Sequence, residues 1–130
     1  MRKLVLACGF LSALFLVFHI AFWWLLDWPS TLGYMTAEHR MLMQTFNLCI
    51  LPIFAFTAYA CLFLRDEVLS TRIGRAALAM NADLYLLRAL AELLFGNLRM
   101  GQSQFFFVLA LVAGFLFVLP LRRPLRPVAD

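Results

Sequence analysis

Long stretches without charged residues constrain this chain more than any other feature of its sequence. Residues 4–26, 41–64 and 103–121 contain no Asp, Glu, Lys or Arg. A helix rises 1.5 Å per residue, so stretches of about 20 apolar residues are long enough to cross a hydrocarbon layer of about 30 Å. These three stretches predict membrane-spanning helices.

A fourth span is predicted at residues 74–95, although Asp83, Arg88 and Glu92 interrupt it. An ionisable residue near the centre of a span costs roughly 2.5 to 3.5 kcal/mol on insertion scales. Its many Ala and Leu residues nevertheless favour a helix, Ser70 and Thr71 are suitable N-caps, and Gly96 lies where a helix would end.

Composition agrees with a membrane protein. Hydrophobic residues make up 65% of the 130 residues and charged residues 14%, whereas soluble domains are about half apolar and about a quarter charged. The loops between the predicted spans are short, so consecutive helices should be antiparallel neighbours. We therefore predict one domain, residues 1–130, with an all-α fold: an integral membrane four-helix up-down bundle. Gly114 predicts a close helix contact in the last span.

The distribution of basic residues predicts the orientation. Eight Lys and Arg residues flank the spans on the side of the termini, against two on the other side. They are Arg2, Lys3, Arg65, Arg72, Arg75, Arg122, Arg123 and Arg126, against Arg40 and Arg99. The positive-inside rule then predicts that both termini lie in the cytoplasm. We expect the chain to be a multi-pass protein of the cell inner (plasma) membrane.

Polar residues follow one face of each of the first three predicted spans. At about 100° per residue, Asn81, Tyr85, Arg88 and Glu92 lie within roughly 60° of one another. Gln44 and Asn47 share a face of the second span, and His19 lies in the first. Because polar groups in a membrane rarely face lipid, we expect a single polar cluster between these three spans, in the outer half of the bilayer. The fourth span is expected to contribute no polar atoms there.

The cluster has two interpretations. In the first, Arg88 and Glu92 form an ion pair, and the remaining polar groups hold the helices together at about 0.6 kcal/mol per bond on average. In the second, the cluster binds a small amphipathic ligand such as a lipid or quinone headgroup, because intramembrane ionisable groups often mark ligand sites. Arg88 would then contact the headgroup, Glu92 would be its partner, and His19, Gln44 and Asn47 would orient the ligand.

Asp83 faces away from this cluster, about 140° from Arg88 around the helix. It is either a protonated carboxyl bonded within the chain or a contact with another subunit. The second possibility defines an alternative function: a non-enzymatic accessory or immunity-type subunit that acts through helix contacts with another membrane protein or with itself. Membrane lipids are the expected partners in either case.

Cofactor and enzyme signals are weak. Haem could take His19 and His39 as axial ligands, which leaves a haem-bearing electron carrier as a weaker alternative. The cysteines are too dispersed for zinc or for a Cys-x-x-Cys redox pair. Motifs of serine nucleophiles, phosphate loops and nucleic-acid binding are missing, so the sequence favours neither an enzyme nor a nucleic-acid partner.

Overall fold

The computed structural model describes residues 1–122, and that part of the chain is helical without strands. Predicted basic residues Arg123 and Arg126 lie outside the described residues. In chain order the helices are α1 (Arg2–Leu25), α2 (Trp28–Thr31), α3 (Ala37–Phe63), α4 (Arg65–Ser70), α5 (Arg72–Phe95) and α6 (Gly101–Val118), with 3-10 helices at Leu32–Tyr34 and Leu119–Arg122.

Within residues 1–122, three helices are long and apolar enough to cross a membrane: Arg2–Leu25, Ala37–Phe63 and Gly101–Arg122. They correspond to the predicted spans 4–26, 41–64 and 103–121. Helix α5 covers the predicted span 74–95 but is not in this set, in keeping with the charged residues that interrupt it. Four spans and their orientation therefore stay predictions.

The helix ends follow local side-chain chemistry. Thr36 caps α3, its hydroxyl oxygen accepting a bond from the His39 amide, and Thr71 caps α5 by accepting from the Gly74 amide at 2.9 Å. Gly96 is the C-cap of α5, as predicted, and its amide donates to the Glu92 carbonyl oxygen at 3.0 Å. Its backbone is extended rather than left-handed.

The predicted loops contain more helix than the sequence indicates. Residues 65–75 hold α4, and residues 27–40 hold α2 and a 3-10 helix. Asp27 separates α1 from α2 with a left-handed backbone (φ 45°), a conformation that Asp adopts more readily than most residues. Pro29 then lies in the first turn of α2, where its missing amide hydrogen costs no helical bond.

The four long helices pack mainly as two antiparallel pairs, α1 with α3 and α5 with α6, and α1 also contacts α6. Two glycines bring neighbouring long helices into close approach. A Cβ atom on Gly9 of α1 would lie 2.8 Å from the Leu62 side chain, and one on Gly114 of α6 would lie 2.8 Å from the Leu86 side chain. The predicted close contact at Gly114 is confirmed, and it lies inside the molecule.

A tightly packed region lies at the end of the molecule that holds Met1, α4 and the end of α6. We call it the packed half. Its core consists of fully buried side chains from all four long helices, namely Val5, Cys8, Cys61, Leu78, Ala113 and Phe117. Cys8 donates its thiol hydrogen to the Leu116 carbonyl oxygen, with a sulfur-to-oxygen distance of 3.6 Å. At the surface of this half, Arg2 pairs with Asp66.

Candidate functional site

A cavity of about 280 Å³ lies between α1, α3, α5 and α6, away from the termini. We call this part of the molecule the cavity half. The lining residues are mostly apolar and come from all four long helices: Phe15, Phe18, His19, Phe22, Leu26, Ile50, Phe54, Leu84, Tyr85, Arg88, Gln102, Phe106, Leu109 and Ala110. A cavity of this size lies near the lower end of the range for small-molecule sites.

Aromatic rings form much of the cavity wall. Phe15 stacks on Phe54 with ring centroids 5.7 Å apart, and Phe54 stacks on Tyr85 at 6.3 Å. Phe18 and Phe106 approach each other from α1 and α6 at 6.3 Å. These wide side chains hold the helices apart, whereas the small residues of the packed half bring them together.

Arg88 supplies the positive charge at the edge of the cavity. Its side chain is 50% exposed, forms an ion pair with Glu92 one turn along α5, and places the guanidinium carbon 5.9 Å from the centre of the Phe106 ring. A guanidinium carries five N–H donors, so pairing with one carboxylate leaves donors for a ligand. This ion pair is present as predicted.

Glu92 lies behind Arg88 and does not line the cavity. It is 7% exposed, and its Oε2 accepts a hydrogen bond of 2.7 Å from the Ser103 hydroxyl of α6. The carboxylate therefore joins α5 to α6 and fixes Arg88 from one side. The structure thus places Glu92 as a support for Arg88 rather than as a group that faces the cavity.

His19 reaches the cavity from α1. Its Nδ1 lies 2.8 Å from the Phe15 carbonyl oxygen one turn earlier, and its ring is surrounded by Phe18, Phe22 and Phe54. Asn47 of α3 donates from its side-chain nitrogen to the His19 backbone carbonyl at 3.1 Å. Asn47 thus positions His19 without itself lining the cavity.

The remaining predicted residues have different surroundings. Tyr85 lines the cavity with its ring, while its buried hydroxyl lies beside Ser12 of α1. Asn81 is fully buried and links helices: it accepts a 3.2 Å bond from Thr57 of α3 and donates to the Ala77 carbonyl oxygen at 2.9 Å. Gln44 is half-buried on α3 and does not line the cavity.

The structure brings together part of the expected polar cluster: His19, Tyr85 and Arg88 line one cavity. The other predicted residues do not line it, and Asn47, Asn81 and Glu92 instead form hydrogen bonds with neighbouring groups. The expectation that the last span adds no polar atoms is wrong, since Ser103 binds Glu92 and Gln102 lines the cavity. The polar residues 102–104, which precede the apolar stretch, are the sequence signal for these polar groups.

The structure does not form the two-histidine haem site. His39 is exposed at the start of α3, where its Nδ1 lies 2.9 Å from the Thr36 hydroxyl, and it does not line the cavity with His19. Among the described residues, no three His, Cys, Asp or Glu side chains lie together as a metal site would require.

Asp83 lies in a shallow surface groove between α3 and α5. Its neighbours there are apolar: Ile53, Ala76, Ala79, Met80, Leu84 and Leu87. The carboxylate is exposed, and within residues 1–122 no side chain forms an ion pair or hydrogen bond with it. The groove is on the opposite face of α5 from the Arg88 ion pair.

Comparison with known proteins gives no relative: no family model, no curated protein and no solved structure matches the chain. The case for a function therefore depends on the geometry of the cavity.

Proposed function

We propose that this protein is a small polytopic inner-membrane protein that binds an amphipathic ligand, a lipid or quinone headgroup, in the cavity between α1, α3, α5 and α6. The observation that carries this proposal is the aromatic cavity of about 280 Å³ with Arg88 at its edge. Ligand sites are typically apolar concavities with a few polar groups that fix orientation, and this cavity has that character.

The surface of the molecule supports a membrane setting. Large apolar side chains are exposed on all four long helices, among them Phe10, Val17, Phe46, Phe56, Leu87, Leu94, Phe105 and Val112. Under this proposal α5 is the fourth span, its cost lowered because Asn81, Tyr85 and Glu92 face the other helices. The charge bias favours an orientation with both termini in the cytoplasm, in which the cavity would lie in the outer half of the bilayer.

The lining chemistry favours an amphipathic ligand over an ion or a sugar. Arg88 of α5 and Gln102 of α6 both line the cavity and offer hydrogen-bond donors, while Phe15, Phe54 and Phe106 offer apolar walls. A headgroup with acceptor oxygens satisfies the donors, and an apolar ring or chain fills the rest. Such a ligand leaves fewer buried polar groups unpaired than a fully polar one would.

Thermal stabilisation of the purified protein tests the proposal. A short-chain quinone and a short-chain phospholipid are added separately in mild detergent, because a ligand that binds the folded state raises the unfolding midpoint. We expect one of them to stabilise the wild type, and Arg88→Gln to lose at least half of that shift. Arg99→Gln removes an exposed arginine from the same end of the molecule and is expected to leave the shift unchanged. Equal shifts in both variants, or no shift with either probe, would contradict the proposal.

The Asp83 groove favours a second candidate, an accessory subunit that docks on another membrane protein. A lone carboxylate on a lipid-facing helix is costly, and a partner helix with a Lys or Arg side chain in the groove would offset this cost. Co-purification from native membranes is expected to recover that partner with the wild type and with Asp66→Asn, but not with Asp83→Asn. Equal recovery of the partner with both variants would remove this candidate. Recovery of an oligomer that contains only this chain would favour self-association.

A further inference from the structure

The hydrogen bond of His19 fixes which of its ring nitrogens can meet a ligand. A carbonyl oxygen only accepts hydrogen bonds, so Nδ1, 2.8 Å from the Phe15 carbonyl oxygen, carries a hydrogen. The ring centroids of Phe22 and Phe54 lie 4.6 and 4.8 Å away, and such apolar surroundings favour an uncharged imidazole. In an uncharged imidazole with hydrogen on Nδ1, Nε2 is an acceptor.

This acceptor is held in place and is free to bind. The Phe15 carbonyl fixes the ring on one side, and Asn47 fixes the backbone of His19 from α3. No side chain among the described residues donates a hydrogen bond to Nε2. Since the ring lines the cavity and Nδ1 faces its own helix, Nε2 is the atom that His19 presents to a bound molecule.

The walls around His19 suit a flat ring. The Phe54 ring is inclined by 22° to the Phe15 ring and by 22° to the Tyr85 ring, while the Phe15 and Tyr85 rings are tilted by 42° to each other. Offset or tilted contact with such ring faces is favourable for an aromatic guest. A dry cavity of about 150 Å³ is known to hold benzene. About 280 Å³ therefore leaves room for one ring with small substituents.

Together, these side chains offer a ligand both hydrogen-bond donors and a hydrogen-bond acceptor. The Arg88 guanidinium and the Gln102 side-chain nitrogen are donors, which match acceptor oxygens, whereas Nε2 of His19 requires a donor from the ligand. A quinone ring offers only acceptors, and so does an ionised phosphodiester. We infer that the cavity selects an aromatic ring that bears a hydroxyl group, a phenol or quinol headgroup, with His19 as the acceptor of the hydroxyl hydrogen. This inference rests on the proposed ligand site.

A matched pair of probes tests the inference: a 4-alkylphenol and its O-methyl ether, which has the same ring and tail but no hydroxyl hydrogen. Dissociation constants are measured for the detergent-purified wild type, His19→Phe and His39→Phe. We expect the wild type and His39→Phe to prefer the phenol by about three- to tenfold, the value of one neutral hydrogen bond. His19→Phe is expected to bind both probes equally, because it keeps a ring but lacks the acceptor.

The outcomes distinguish failure of the role of His19 from failure of the proposed ligand cavity. A phenol preference that persists in His19→Phe, or no preference in the wild type although both probes bind, overturns the role of His19 and leaves the ligand cavity intact. Failure of both probes to bind, or equal binding to the cavity-filling variant Ala110→Phe, overturns the cavity itself. If His19→Phe does not fold, His19→Gln replaces it, and loss of the preference there with retained ether binding supports the inference.

Discussion

The two halves of the molecule use the same helices in opposite ways. In the packed half, Gly9, Ala113 and Gly114 let the helix backbones approach until a Cβ atom on either glycine would overlap a neighbouring leucine. In the cavity half, Phe15, Phe54 and other rings keep the helices apart and enclose empty space. The difference teaches that side-chain size along each helix, rather than the helix arrangement, decides which end is a core and which is a site.

The largest expected effect comes from adding volume to each half at matched positions of α6. Ala113 is fully buried in the packed half, and Ala110 lines the cavity one turn earlier. Because overpacking a close-packed core costs about 1 to 3 kcal/mol, Ala113→Leu is expected to lower the unfolding free energy by that amount. Ala110→Leu is expected to change it by less than about 1 kcal/mol, since its methyl groups enter empty space.

Unfolding by titration with SDS in mixed micelles measures both variants under one condition. Equal losses of unfolding free energy at the two positions would mean that the halves do not differ in packing.

A smaller effect is expected from the polar contact that joins α3 to α5. Thr57 donates to the fully buried Asn81, so Thr57→Val leaves the Asn81 side-chain oxygen without its donor. Interhelical bonds of this kind contribute about 0.6 kcal/mol on average in membranes and up to about 1.7, so a loss of about 1 kcal/mol is expected. Thr45→Val, at an exposed position of the same helix, is the control and should change stability little. A loss in Thr45→Val that equals the loss in Thr57→Val would contradict this role for the Asn81 contact.

The smallest expected effect lies at the surface of the packed half. The hydrogen bond from Arg2 lowers the pKa of Asp66 below its ordinary value of 3.8. A carboxyl whose pKa is lowered in the folded state stabilises the folded state at pH values above its ordinary pKa. This contribution is lost as the pH falls through the lowered pKa. Both groups are exposed, so the contribution is small.

Thermal unfolding of the wild type and Asp66→Asn between pH 3 and pH 7 checks this prediction. A slightly higher midpoint of the wild type near neutral pH should shrink toward acid. A difference that grows toward acid would contradict the sign.

Much of the fold could be predicted from the sequence. Uncharged stretches gave the three apolar helices to within a few residues, and Thr71, Gly96 and Gly114 have the predicted places. The short helices α2 and α4 could not be predicted, because their polar turns look like loop sequence until Asp27 or the packing of Val68 fixes the backbone.

The candidate site was harder to predict. The angular positions of residues around each helix predicted the ion pair of Arg88 with Glu92 and a side chain of His19 that faces the other helices. Angles carry no information on side-chain volume, however, so the aromatic rings that line the cavity were not foreseen. Gln44 shares a helical face with Asn47 but does not line the cavity, and Ser103 was missed because its partner Glu92 lies on another helix.

The most direct test of the central claim, that the cavity half holds a ligand, uses the tryptophans beside it. All three tryptophans of the chain, at positions 23, 24 and 28, lie at this end, and the Trp28 ring is 5.9 Å from that of Phe22 in the cavity wall. The detergent-purified protein is titrated with a short-chain quinone, a ring probe that fits the cavity without the hydrogen bond to His19 and quenches indole fluorescence. We predict saturable quenching in the wild type that Ala110→Phe abolishes and Arg99→Ala preserves. Quenching that never saturates, or that is unchanged in Ala110→Phe, would contradict the account.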